Sequence, residues 1–218
     1  MTSFRTETDS MGAINIPEQA LYGTQTQRAV NNFPISGLRM PELFISCLAR
    51  IKRAAAVSNC QLGVLDLSIS KAIVDACDAI ISGQYHEHFP VDVFQTGSGT
   101  SSNMNMNEVI ATLATHAVEL RVDPNDHVNM GQSSNDVIPT AIHVSAALAL
   151  HQNLLPALSH LYRTLKEKSK TLEGFVKTGR THLMDAMPIQ LSQELNAWAG
   201  QILQTMERLE GISPELKS

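Results

Sequence analysis

Residues 137–172 read VIPTAIHVSAALALHQNLLPALSHLYRTLKEKSKTL. Ile138, Ile142, Val144, Ala147, Leu148, Leu154, Leu158, Leu161 and Leu165 recur along the stretch at helical spacing, interrupted by Pro139 in the first turn and Pro156 in the middle. So long a helical run is characteristic of a bundle. Downstream, a loop over 173–187 leads to Pro188 and a last amphipathic helix over 189–209. Upstream, the same period runs through Leu43, Phe44, Cys47, Leu48, Ile51, Ala54 and Ala55 to Leu62, with Pro41 at the helix start. It returns from Ser68 or Ser70 through Ile73, Val74, Cys77, Ile80 and Ile81, and stops at Gly83. Val109, Ile110, Leu113 and Val118 mark a further helix, which starts inside or just after the Gly-rich run 95–107. Residues 1–40 have no sustained helical period and carry Pro17, Gly23, Pro34 and Gly37, so they read as an irregular N-terminal arm.

The fold is expected to be mainly α: the arm and a helical first domain over 1–132, then the first long helices of a central helical bundle over 133–218. A little strand is expected in the arm or near Thr178. Aromatic residues are 5% of the chain against 43% hydrophobic overall, so the core is built from small and aliphatic side chains, and a β-sandwich is excluded.

A net charge of −5, with no run of five like charges, excludes a nucleic-acid groove and a polybasic membrane patch and leaves a small molecule as the partner. Residues 1–12 mix Arg5 with Glu7, Asp9 and hydroxyls and have no apolar segment, so they are not a secretory signal. The apolar stretch 144–150 falls far short of the ~20 residues of a membrane span. Cys47, Cys60 and Cys77 form an odd set without metal-ligand spacing and read as reduced core thiols of a cytoplasmic protein.

Three polar loops, each at a junction with a long helix, carry the candidate chemistry. In Gln95-Thr96-Gly97-Ser98-Gly99-Thr100-Ser101-Ser102-Asn103, two glycines let backbone N–H groups converge, and the helix start beyond adds its own donors and dipole, so an anion fits. The Gly-Lys-Ser/Thr ending of a nucleotide P-loop is missing. An ordinary connection with Ser or Thr as helix cap is the alternative. In Gly131-Gln132-Ser133-Ser134-Asn135-Asp136, short neutral donors can hold a carboxylate without the desolvation cost of a buried Lys or Arg; Asn135 or Asp136 can also cap the helix that follows. In the third loop, Lys177-Thr178-Gly179-Arg180-Thr181-His182-Leu183-Met184-Asp185-Ala186, His182 is placed to move a proton near neutral pH. His86 and His88 flank Glu87 without a third metal ligand, and His116, His143, His151 and His160 sit on helix faces, so all six are read as surface or packing residues.

Together these loops are far more specific than any one of them. Gly97-Ser98-Gly99-Thr100, Asn103-Met104-Asn105-Met106-Asn107-Glu108, Gln132-Ser133-Ser134-Asn135-Asp136 and Gly179-Arg180-Thr181-His182 closely resemble class II fumarase of the fumarase/aspartase superfamily. In the arm, Met11-Gly12, Tyr22-Gly23 and Gln25-Thr26-Gln27-Arg28 resemble it too, so the likeness covers essentially all 218 residues. Aspartases typically have Ser-Thr-Asn-Asp at 133–136 and Gln at 182; argininosuccinate and adenylosuccinate lyases lack the Gly-Ser-Gly-Thr and Asn-Met-Asn-Met-Asn-Glu combination.

The resemblance implies a hydro-lyase that interconverts fumarate and L-malate, a step of the tricarboxylic acid cycle, with no metal and no organic cofactor. It implies Ser98, Gly99, Thr100, Ser133, Ser134, Asn135 and Thr181 as substrate-binding residues and His182 as the proton donor or acceptor that handles the water. It also implies a homotetramer whose active sites gather loops from three subunits. An accessory anion site would lie at Asp123, Pro124, Asn125 and Asp126, where the family usually has His-Pro-Asn-Asp; an aspartate in place of that His repels a dianion. The family's third signature, a mobile Gly-Ser-Ser-x-Met-Pro-x-Lys-x-Asn loop carrying the base serine and a substrate-binding lysine, does not occur in the sequence. The chain is accordingly expected to be the N-terminal portion of such an enzyme and inactive alone, with an aspartate ammonia-lyase or a noncatalytic helical assembly protein of the same fold as alternatives. The helices over 137–172 and 188–210 are expected to leave a contiguous apolar stripe exposed.

Overall fold

The computed structural model describes residues 3–217; Met1, Thr2 and Ser218, the ends of the stretches read above as a leaderless arm and an unfinished bundle, lie outside them. The chain falls into two compact units, Met1–Ser145 and Ala146–Ser218. Among the described residues no helix is long and apolar enough to cross a membrane.

In the first unit, strand β1 (Phe4–Asp9) pairs antiparallel with β2 (Gly12–Pro17), followed by helix α1 (Thr24–Asn32). Most of the arm expected to be irregular is therefore regular. Its period escapes an apolar count because the half-buried positions of β1 are Arg5, Glu7 and Asp9. Arg5 donates to the carbonyls of Ala20 and Tyr22 at 2.7 and 2.8 Å, and Arg28 pairs with Asp9 at 2.7 Å, so charge-assisted bonds fix the arm. The first turn of α1 is held from a distance in sequence. The Glu108 carboxylate accepts the N–H groups of Gly23, Gln25 and Thr26 at 2.9, 2.9 and 3.1 Å and the Thr26 hydroxyl at 2.6 Å, taking the donors a helix start leaves unpaired.

Helices α2 (Glu42–Gln61), α3 (Leu67–Ile81) and α4 (Thr100–Val118) form the core. Pro41 is the N-cap of α2 rather than its first helical residue, and Asp66 caps α3 in front of the expected Ser68 or Ser70, accepting the Ser68 N–H at 2.7 Å. Leu48, Ile73, Ile80, Met106, Val109 and Ile110 are fully buried, each contributing about 1.5–3 kcal/mol. Burial pushes the Cys77 thiol up to about 12 and raises Cys47 as well, in keeping with inert core thiols, whereas Cys60 is half-buried. A wide π-helical turn, Pro124–Val128, precedes helix α5 (Ser134–Ala149). This helix starts before Asn135 and Asp136, so neither is its cap.

In the second unit a π-helical turn, Leu150–Leu154, opens helix α6 (Leu155–Thr171). The wide turn takes up the backbone irregularity and leaves Pro156 in the first turn of α6, where its missing N–H costs nothing. Strand β3 (Val176–Thr181) pairs with β4 (Met184–Gln190), and helix α7 (Leu191–Ile212) follows. The loop expected over 173–187 is thus a hairpin, and Pro188 and Ile189 belong to β4 rather than to the last helix. A Cβ on Gly179 would lie 2.6 Å from the Met187 carbonyl oxygen, so only glycine fits at this irregular point of the pairing. A reciprocal capping box of Gln190 and Gln193 starts α7. α6 and α7 pack antiparallel, with Lys166 donating to Asn196 at 2.7 Å. Leu154, Leu161, Trp198 and Leu203 remain exposed on this unit, and Ile142 on α5.

Candidate active site

Hydroxyl groups from two loops of the first unit meet at the start of α4. The Thr100 hydroxyl lies 2.7 Å from that of Ser98 and 2.9 Å from that of Ser134, giving a chain of three hydroxyls whose protons can rotate to suit an incoming acceptor. Gly99 makes this junction possible. It is the N-cap of α4 at φ +66°, and a Cβ there would stand 2.9 Å from Ile138 of α5, so the loop can lie against α5 only because the side chain is absent. The cap is glycine, not the Ser or Thr that an ordinary connection would use, which leaves the hydroxyls free for other work.

Gln95 shapes the first loop from within, accepting the Ser102 N–H and donating to the Asp92 carbonyl, each at 2.9 Å. Asp92 accepts the N–H groups of Ser36, Gly37 and Phe94; against the upward push of desolvation, these bonds hold its carboxyl down to about 2. In the second loop the Asn135 N–H points to the Ser133 hydroxyl at 3.3 Å, and Ser133 and Asn135 are exposed while Ser134 is half-buried. Ser98, Thr100 and Ser134 are thus brought together, with Gly99, Ser133 and Asn135 adjacent in the chain.

Thr181 and His182 belong to the second unit. Thr181 faces Met184 across the hairpin, so the turn consists of His182 and Leu183 alone. Both have positive φ, +50° and +62°, the backbone of a type I′ turn normally built from Asn and Gly. A histidine and a leucine held in the left-handed region are strained, and such strain clusters at functional positions. His182 stands exposed at the hairpin tip, with Arg180 and Asp185 paired at 3.7 Å below it.

At the proposed accessory anion site, the Asp123 carboxylate itself accepts the N–H groups of Asn125 and Asp126, at 2.8 and 3.0 Å. The Asp126 N–H bond first, and the Asn125 bond with it, lower its pKa. The carboxylate thus occupies two backbone donors of this turn itself. Asp123, Pro124 and Asn125 border a cavity of about 560 Å³ that Glu7, Asp9, Glu108 and Arg121 also line.

Sequence reasoning missed a polar network along α4. Asn103, Asn105 and Asn107 of α4 are buried, as is Lys52 of α2, and Asn129 joins several of them. Polar residues at helical spacing inside an otherwise buried helix, 103 and 107 among them, were the available signal. Among the histidines, His88 accepts the Leu21 N–H at 3.3 Å, His86 lies 3.2 Å from Glu42, and His151 bonds Ser213 at 2.6 Å, all packing roles.

A family model described as "Lyase" matches residues 12–218. The class II fumarate hydratase 2 of Pseudomonas aeruginosa is 55% identical over 217 residues, which cover 100% of this chain and 47% of that protein. The class II fumarate hydratase of Halobacterium salinarum is 49% identical, with 98% of this chain and 46% of that protein covered. In structure, the chain resembles a fumarate lyase:delta crystallin from Brucella melitensis, with a TM-score of 0.93 and 42% identity over 99% of this chain and 52% of that one. It also resembles a class II fumarase from Schistosoma mansoni, with a TM-score of 0.91 and 40% identity over 98% of this chain and 46% of that one. The chain spans about half the length of these proteins. It belongs to the lyase family, and the relatives named here place it beside the class II fumarate hydratases within that family.

Proposed function

We propose that this chain supplies the first domain, over 1–132, and the opening bundle helices, over 133–218, of a class II fumarate hydratase that interconverts fumarate and L-malate. The observation that carries the reading is the convergence of Ser98, Thr100 and Ser134 at the glycine-capped start of α4. Removing a proton next to a carboxylate drives negative charge into that carboxylate, and donors that bind it more strongly as the charge grows lower the barrier. Ser98, Thr100, Ser133, Ser134, Asn135 and Thr181 are such donors, with the Gly99 backbone setting their approach, and His182 exchanges a proton with the water that is added or lost. The names of the relatives support the dicarboxylate substrate; a cytoplasmic homotetramer is part of the same proposal and rests on the resemblance of the loop motifs alone.

The test is His182→Asn in the full-length protein, assayed for fumarate hydration beside wild type and His160→Asn, a change on an exposed face of α6. Proton transfer by a positioned side chain contributes about 10²- to 10⁴-fold, so kcat should fall by that order while KM changes little. A His182→Asn protein with full kcat, or an equal loss in His160→Asn, would remove His182 from the reaction.

A further inference from the structure

In the turn before Ser133, Asn129 carries a half-buried carboxamide that the reaction as described does not use. The Asn129 side-chain oxygen accepts from the Lys52 ammonium at 2.8 Å and from the amides of Asn103 and Asn107 at 3.2 Å each. Its NH₂ donates to the Gln132 carbonyl at 3.1 Å, directly before Ser133. Lys52 and Asn107 have no exposed surface and Asn103 almost none, so three of the partners of the half-buried Asn129 are shielded from water, where a lost partner is costly. Asn103 and Asn107 stand one and two turns beyond Thr100 on α4. One carboxamide therefore links the helix that begins at Thr100 to the turn that delivers Ser133, Ser134 and Asn135.

We infer that Asn129 is a positioning residue, which sets the spacing between the Thr100 hydroxyl and the 133–135 donors by clamping α2, α4 and the 129–132 turn together. The inference rests on the hydratase reading for its catalytic consequence, though not for its structural one. Two features make the clamp specific to asparagine. The site needs an acceptor toward Lys52 and a donor toward the Gln132 carbonyl from the same planar group, which Asp and Leu cannot supply. The turn is also fixed elsewhere, by Asn59 donating to the Met130 carbonyl at 3.0 Å and by the Gln132 amide donating to the Val128 carbonyl at 3.0 Å, so loss of Asn129 should displace the segment without unfolding it.

Asn129→Asp is the discriminating change, because it keeps the acceptor and the pairing with Lys52 but sets oxygen against oxygen at Gln132. Two measurements are made at a temperature well below unfolding, with Lys52→Met as the second variant should Asn129→Asp fold poorly. Amide hydrogen exchange of the present chain should speed up over 132–136 and stay unchanged in α3. In the full-length protein, kcat/KM for fumarate should fall by about 10²-fold, since a small misplacement of binding groups costs that much, with the greater part in kcat. Exchange over 132–136 equal to wild type, or accelerated exchange with kcat/KM retained within threefold, would overturn the positioning role. Wild-type protein with no hydratase activity but with the expected exchange pattern would refute the hydratase reading and keep the clamp.

Discussion

Lys52 is a lysine without exposed surface, and burial pulls its pKa down to about 7. Because an unfolded lysine titrates near 10.5, the unfolded chain holds a proton above pH 7 that the folded chain has begun to release. Raising the pH from 7 toward 9 should therefore increase the free energy of unfolding. Above 9 the raised Cys77 thiol acts in the opposite sense, since the unfolded thiol ionises while the folded one keeps its proton, so the window is read below 9. Urea unfolding of the chain across this range should show the rise in wild type and a weaker one in Lys52→Met; equal slopes would mean that the ammonium is better solvated than its burial indicates. Nothing in the sequence marked this lysine, because one polar residue inside an apolar helical pattern looks the same whether it faces water or the core. Ser98, Thr100 and Ser134 were legible because glycines and hydroxyls cluster just before helices, where spare backbone donors collect. Their bridge across 34 residues was not.

The elements divide according to what makes them. α2, α3 and the long helical run over 137–172 follow the spacing of aliphatic side chains and could be read from it. In the arm a little strand was expected, but the extent of the β1–β2 hairpin and helix α1 could not be read, since charged side chains and the remote Glu108 hold them. Replacing Glu108 with Gln keeps the size but turns an N–H group toward the donors of Gly23, Gln25 and Thr26. The loss should be roughly 1–3 kcal/mol, the cost of leaving the buried Thr26 donor and its part-buried neighbours poorly paired, with exchange in α1 rising before that in α3. Thermal and urea unfolding measure the first part and hydrogen exchange the second; unchanged stability would show that the arm is fixed by Arg5 and Arg28 alone. Strand near Thr178 was expected, but the tight hairpin it forms was hidden for another reason. Its turn uses His182 and Leu183 where Asn-Gly would have announced it, so the strain that puts the histidine at the tip also removes the sequence signal.

At the scale of the whole molecule, the first unit has a continuous core of its own, whereas among the described residues the second buries few side chains and leaves Trp198 and several leucines exposed. The chain also matches about half the length of its relatives, so the proposed reaction is to be tested on a protein of their length. The family was legible from loop motifs in their order along the chain; the departure at Asp123 was legible too, but not that its carboxylate occupies two backbone donors of its own turn. The decisive choice is between adding water and adding ammonia to the same alkene. Full-length protein should be incubated with fumarate in water alone and with fumarate and ammonia, and L-malate and L-aspartate quantified. L-malate in both mixtures and no L-aspartate is the expected result; L-aspartate formed only when ammonia is present, without L-malate, would contradict the hydratase assignment.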